Sequence, residues 1–220
     1  MGSPSKEFYD AVIIGAGPIG GYLGWNLGRL GHSVLIIEEH SEIGRPFQCA
    51  GLVNPGAMAR VPLEKTVLSP IWGARINSPN GITVDIGSPE RIRTWSVCRK
   101  KFDEGGVTLA VESGAELLLD SRPTNISIYD DFAEVTVKSS NTEKTINCAL
   151  ICGCDGAHSW VRRYMKMGRP KEMMIGYQVE VSGYPNEPGK LDMFTGSEIS
   201  PGFFSWAIPS GETTRIGMWS

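Results

Sequence analysis

Apolar positions fall in two kinds of run along this chain. Ala11–Ile14 and Val34–Ile37 are unbroken, the pattern of strands buried on both faces of a parallel sheet. Between them the spacing predicts a helix over 19–30. Gly20, Gly24 and Gly28 recur on it at i, i+4 and i+8, a smooth stripe for close packing. Gly31 follows as the stop signal. Beyond these runs the apolar stretches become short and alternating, the pattern of strands with one solvated face.

Residues 39–66 carry no clear period and are interrupted by Gly44, Pro46, Gly51, Pro55, Gly56 and Pro62. A loop of that length in a compact unit is usually functional. Two strands are predicted within 67–86 around the turn Ser78-Pro79-Asn80-Gly81. A helix follows over 99–112, weakened by Gly105-Gly106, and then a strand at 116–119. A hairpin is expected from 125–129 and 133–138, a third strand from 144–148 and a separate buried strand from 149–152. Residues 158–167 read as a helix with Arg162, Arg163 and Lys166 on a solvated face. After 173 the chain reads as antiparallel strands at 175–181, 191–194, 203–209 and 215–219. The expected fold is α/β, a Rossmann-like βαβ domain with an interleaved antiparallel-sheet domain. The first would take 1–66 and 97–172, the second 67–96 and 173–220.

The first turn carries the strongest chemistry. Gly15, Gly17 and Gly20 stand at G-x-G-x-x-G spacing directly after the first strand, with Pro18 among them. Gly15 permits the tight turn, Gly17 lets the backbone approach a pyrophosphate, and Gly20 lets the helix pack against the strand. The helix N-terminus offers N–H groups to the phosphates. Glu38 ends the second strand, where it can accept from ribose hydroxyls. Together these predict a dinucleotide site.

Composition narrows the partners. A formal charge of −3 with no basic run argues against nucleic acid. No apolar stretch approaches the ~20 residues of a membrane span. Met1–Lys6 is polar and does not read as a signal peptide. Five cysteines, an odd number, point to free thiols in a reducing compartment. His32, His40 and His158 are scattered, so no metal set is expected.

Four further segments turn a generic nucleotide fold into a specific resemblance: Arg45–Gly51, Val97–Asp103, Gly153–Arg162 and Pro201–Pro209. With the first turn, they resemble the geranylgeranyl reductase family of flavoproteins, within the group of FAD enzymes built like para-hydroxybenzoate hydroxylase. The glycine fingerprint and Asp155-Gly156 are shared by the larger group. The P-x-x-C-x-G element at Pro46–Gly51 and the P-x-x-[YF]-x-W-x-[FI]-P element at Pro201–Pro209 are similar to the reductases rather than the hydroxylases. The resemblance implies FAD, its pyrophosphate at Gly15, Gly17, Pro18 and Gly20 and its adenosine ribose at Glu38. It implies flavin contacts from Cys49, Ala50, Gly51 and Arg99, and a cofactor contact from Asp155 and Gly156. Phe204 and Trp206 would line a pocket for an isoprenoid chain, with Phe204 standing where relatives more usually have Tyr. Cys49 is a candidate catalytic or redox-tuning thiol, or else a small residue chosen for fit.

The implied reaction is saturation of C=C bonds in isoprenoid chains of lipids. Flavin gives a hydride to one alkene carbon and a proton reaches the other. Tyr177, Cys49 and a bound water stay open as proton sources, and NAD(P)H or ferredoxin as electron donor. A prenyl-lipid substrate implies a cytoplasmic or peripheral-membrane location. One departure stands out: no Gly-Asp dipeptide occurs in the chain, whereas the group carries one for the flavin ribityl chain. The chain is therefore expected to be an N-terminal portion with a truncated substrate domain. Two other readings stay open, an FAD-dependent monooxygenase of the hydroxylase group and a non-catalytic nucleotide-binding remnant.

Overall fold

A computed structural model describes residues 8–47, 49–140 and 142–220. The Met1–Lys6 leader reading and Gln48 of the P-x-x-C-x-G element lie outside them. In chain order the first elements are β1 (Phe8–Ile14), α1 (Pro18–Arg29), β2 (Val34–Ile37), β3 (Leu52–Val53), α2 (Pro55–Met58), β4 (Val67–Ile71), β5 (Gly73–Asn77), β6 (Thr83–Gly87) and β7 (Thr94–Val97). The middle of the chain forms α3 (Arg99–Glu112), β8 (Glu116–Leu118), β9 (Ser121–Ile128), β10 (Ala133–Ser139), β11 (Thr142–Gly153) and α4 (Trp160–Tyr164). The last strands are β12 (Gly176–Ser182), β13 (Lys190–Thr195), β14 (Phe204–Ser210) and β15 (Thr213–Trp219). The chain divides into two compact units: the part up to Phe47 with Lys100–Arg169, and Gln48–Arg99 with Pro170–Ser220.

The first unit is built on a six-stranded sheet in the order β8-β2-β1-β11-β10-β9. β8, β2, β1 and β11 run parallel, and β10 and β9 return antiparallel. β1 and β2 are apolar throughout because both faces are covered. Val12, Ile14, Leu35 and Ile37 pack with Val135, Ile146, Cys148 and Val161 on one side. Ile13, Val34 and Ile36 pack with Val107 and Ala110 of α3 on the other. The glycine stripe of α1 lies on that second side: a Cβ at Gly24 would stand 2.7 Å from Ile36 and 3.3 Å from Ala110. Gly105-Gly106 does not interrupt α3.

Two expectations need correcting here. The strands expected at 144–148 and 149–152 are one strand, β11. Its first half pairs antiparallel with β10, while Asn147–Gly153 pairs parallel with β1. The helix expected over 158–167 is reduced to five residues, Trp160–Tyr164. Arg162 donates to the Gly168 carbonyl at 2.8 Å.

The second unit holds a six-stranded sheet, β12-β15-β14-β13-β5-β6, and a three-stranded one, β3-β7-β4. The strands expected after 173 appear as β12–β15, but β13 runs parallel to β5. The turn at Ser78–Gly81 joins β5 to β6, and β4 is an additional strand in the other sheet. Ser96 and Ser210, both buried, join their hydroxyls at 2.9 Å and tie β7 to β14. The stretch 39–66 is mostly loop, with β3 and α2 as short exceptions; Asn54 caps α2 by accepting from the Ala57 N–H at 2.8 Å.

Candidate cofactor site

In the first unit, β2 lies on one side of β1 and β11 on the other, so strand order reverses there. An α/β sheet binds its ligands outside the carboxyl ends of the strands at such a crevice. The Gly15 N–H donates to the Ile37 carbonyl at 2.8 Å, and the Cys154 N–H to the Ile14 carbonyl at 2.7 Å. The turn is thus stitched to both neighbouring strands. Gly15 has φ +100, and a Cβ there would lie 2.5 Å from the Cys154 carbonyl oxygen. At Gly20 a Cβ would stand 1.9 Å from the Gly15 carbonyl oxygen, so no side chain fits. At Gly17 it would meet nothing within 4 Å, which leaves the backbone open to an approaching group.

Glu38 closes the crevice on the β2 side. One carboxylate oxygen accepts from the Ala16 N–H at 2.8 Å, and the other from the His40 N–H at 3.1 Å, with His40 Nδ1 2.5 Å away. These contacts fix its orientation and leave lone pairs for further donors. On the β11 side Asp155 accepts from the Val161 N–H at 2.9 Å through Oδ2, while its Oδ1 is buried with no partner among the described residues. A buried orphan acceptor calls for a donor. Gly156 follows with φ +73.

These residues fit a dinucleotide. The twelve-residue α1 has no acidic residue in its first turn and no side-chain cap, with Pro18 at its start. Its leading amides suit a pyrophosphate, Gly17 gives room, Glu38 offers acceptors to a ribose, and Asp155 Oδ1 awaits a hydroxyl. Beyond Glu38, whose carbonyl accepts from the Ser121 N–H at 2.9 Å, lies a polar recess of about 310 Å³ lined by Asp120, Arg122 and Lys138 among others.

A profile of the FAD binding domain family matches residues 83–204. The chain belongs to that family. Within the FAD binding domain family its resemblance to the geranylgeranyl reductases is borne out. It is 31% identical over 217 residues to a digeranylgeranylglycerophospholipid reductase of Methanosarcina acetivorans, covering 94% of this chain and 53% of that protein. Digeranylgeranylglycerophospholipid reductase 3 of Methanosphaera stadtmanae is also 31% identical, over 95% of this chain and 55% of its own length. The chain therefore spans about half the length of these curated relatives. Among solved structures, a geranylgeranyl bacteriochlorophyll reductase-like protein of Thermoplasma acidophilum superposes with a TM-score of 0.89 at 22% identity, covering 97% of this chain and 57% of that one. That likeness establishes the α/β fold expected from the sequence, and FAD is the cofactor of the family.

The remaining candidates lie in the second unit, including Arg99, the first residue of α3 and the last before the division. β14, β15 and β12 are in register, so Phe204, Trp206, Gly217, Gln178, Arg215 and Glu180 share one face of the sheet. Trp206 is buried, and its indole N–H donates to Gln178 Oε1 at 3.1 Å. It packs edge-on to Phe204 and Trp219, with centroids at 6.4 and 5.8 Å. The Cys49–Gly51 loop is bound to the same face through Arg215, whose Nη1 donates to the carbonyls of Ala50 at 3.0 Å and Val97 at 2.9 Å. Cys49 is exposed, so it is not a residue chosen to fill a core. Tyr177 points to the opposite face of the sheet from Trp206 and is 71% exposed.

Sequence reasoning missed Arg215, Gln178 and Glu180. The signal was available: Arg215 has the parity of Gly217 and Trp219 in an alternating strand, so it is a charged residue at an inward position. Burial pushes Cys148 and Cys154 up to about 11, and also raises Cys152.

Proposed function

We propose that this chain is part of an FAD-dependent reductase that saturates C=C bonds in the isoprenoid chains of membrane lipids. The supporting observation is that the thiol-bearing loop and the aromatic strand, the two reductase-like elements, meet on one face of one sheet. Phe204 and Trp206 give that face an apolar wall suited to a polyene. Bound flavin supplies the hydride when reduced. The chain's own residues hold and orient: Gly15, Gly17, Pro18 and Gly20 take the pyrophosphate, Glu38 the adenosine ribose, Asp155 and Gly156 a cofactor hydroxyl. Cys49, Ala50, Gly51 and Arg99 take the flavin side, with NAD(P)H or ferredoxin as electron source. Cys49, on the loop tied through Arg215 to the aromatic face, is preferred to Tyr177, which points to the opposite face, as the group that holds a proton for the alkene.

The test is an FAD titration followed over the flavin absorbance bands, then reduction and incubation with a geranylgeranyl lipid. The expected results are saturable uptake and product masses rising by two hydrogens per bond. Hydroxylated product with oxygen consumption would move the assignment to a monooxygenase. Binding of ADP without FAD would make the chain a nucleotide-binding remnant.

A lipid substrate implies contact with a membrane surface. Among the described residues no helix is long and apolar enough to cross one. Along the chain from 165 to 175, Met165, Met167, Met173, Met174 and Ile175 are exposed, in a stretch whose charged residues are Lys166, Arg169, Lys171 and Glu172. Apolar side chains among cations suit an anionic bilayer surface. Co-sedimentation is expected with vesicles of phosphatidylglycerol and phosphatidylcholine, weakened by Met167→Ser with Ile175→Ser. Failure to sediment with them would sink the membrane contact.

A further inference from the structure

Arg215 is the most deeply buried cation of the second unit, 2% exposed in the middle of β15. Its Nε donates to Glu180 Oε1 at 2.8 Å, from the adjacent position on β12. Its Nη1 reaches across to the Ala50 and Val97 carbonyls at 3.0 and 2.9 Å. One guanidinium thus joins the large sheet, the end of β7 and the loop that carries Cys49. Gly51 makes room for it: a Cβ there would lie 2.2 Å from Nη1, and its φ is +77.

The Ala50–Gly51 peptide is where this has chemical effect. In a planar trans peptide the C=O and the following N–H point to opposite sides. With the Ala50 carbonyl drawn toward Arg215, the Gly51 N–H is turned the other way, and it donates to Cys49 Sγ at 3.4 Å. An N–H donated to sulfur steadies negative charge on it, and cysteine attacks electrophiles through its charged form. We propose that Arg215 is a positioning residue for Cys49: by holding the Ala50 carbonyl it fixes the peptide that presents the Gly51 N–H to the thiol. The catalytic bearing of this rests on the reading of the Cys49 loop as part of the flavin site; the coupling itself does not.

The sign of the effect separates positioning from scaffolding. A loop that merely loosens exposes its thiol more and is alkylated faster. A loop that loses the N–H donor is alkylated more slowly. The experiment measures iodoacetamide alkylation of Cys49 in the native chain at neutral pH, by mass spectrometry of its peptide. Folding is checked by near-ultraviolet circular dichroism. Arg215→Met is expected to slow Cys49 about fivefold, the weight of one hydrogen bond. Arg215→Lys keeps the charge but not the fork, and is expected to restore part of the rate. Should Arg215→Met fail to fold, the comparison of Arg215→Lys with the unaltered chain decides alone. An unchanged or faster rate in the folded variant overturns the proposal. FAD uptake is measured separately, so its absence would defeat the flavin reading and leave this result standing.

Discussion

Individual residues sort into those with no freedom and those with spare capacity. Gly20 has none. The Cβ of Gly20→Ala would lie 1.9 Å from the Gly15 carbonyl oxygen, and overpacking against fixed backbone costs about 1–3 kcal/mol. Lower thermal stability and loss of FAD uptake are expected together. Asp155 is different, because its two oxygens have separate tasks. Asp155→Asn can keep an acceptor for the Val161 N–H and loses the second carboxylate oxygen. FAD affinity is expected to fall about tenfold with little change in melting temperature, whereas Asp155→Ala, which removes the acceptor of the Val161 N–H, also lowers stability by about 1 kcal/mol. The thiols give a pH dependence. Folding raises Cys148 and Cys154 from 9.0 to about 11, so the native state holds protons that the unfolded chain releases. Stability is therefore full below pH 9 and declines toward pH 11, by at most about 1.4 kcal/mol per pH unit for each thiol. Chemical denaturation across that range checks it, with Cys148→Ala and Cys154→Ala flattening the decline.

At the scale of elements, legibility followed how completely local pattern and tertiary environment agree. β1, α1 and β2 were readable because a doubly covered strand must be apolar throughout and a helix crossing it closely must be small on one side. The later strands β12–β15 were readable from alternation. β4 and β7 were not: they are short, contain Pro70 and Ser96, and draw their order from pairing with each other and from the buried serine contact to β14. The parallel pairing of β13 with β5 was also hidden, since nothing in either strand records a partner more than a hundred residues away. The conformation of the glycine turn was legible, whereas for Arg215 only the inward parity was: its carbonyl partners at Ala50 and Val97 leave no mark in a sequence. Edge position sets the local stability. β6 is exposed along its whole length, so its amides are expected to exchange with deuterium well before those of β14.

For the molecule as a whole, the sites with a geometric case for phosphate and ribose all lie in the first unit, and those for thiol and apolar chain in the second. ADP carries the pyrophosphate and adenosine of the cofactor without its flavin. It is expected to increase hydrogen-exchange protection in β1, α1 and the end of β11 and to leave β12–β15 unchanged. Equal protection of all strands by ADP would remove the division of labour between the units.

The twelve residues of β11 bear on which length changes the chain tolerates. One continuous strand serves the β10 hairpin and then runs beside β1 to Gly153, two residues before Asp155. Deleting a single residue within 144–147 could not be taken up locally. It would draw the following strand back by about 3.3 Å and turn its side chains over, carrying Cys154 and Asp155 out of the crevice. Insertions and deletions in this hairpin are therefore confined to its far turn, and a change of length anywhere else in it reaches the cofactor cleft.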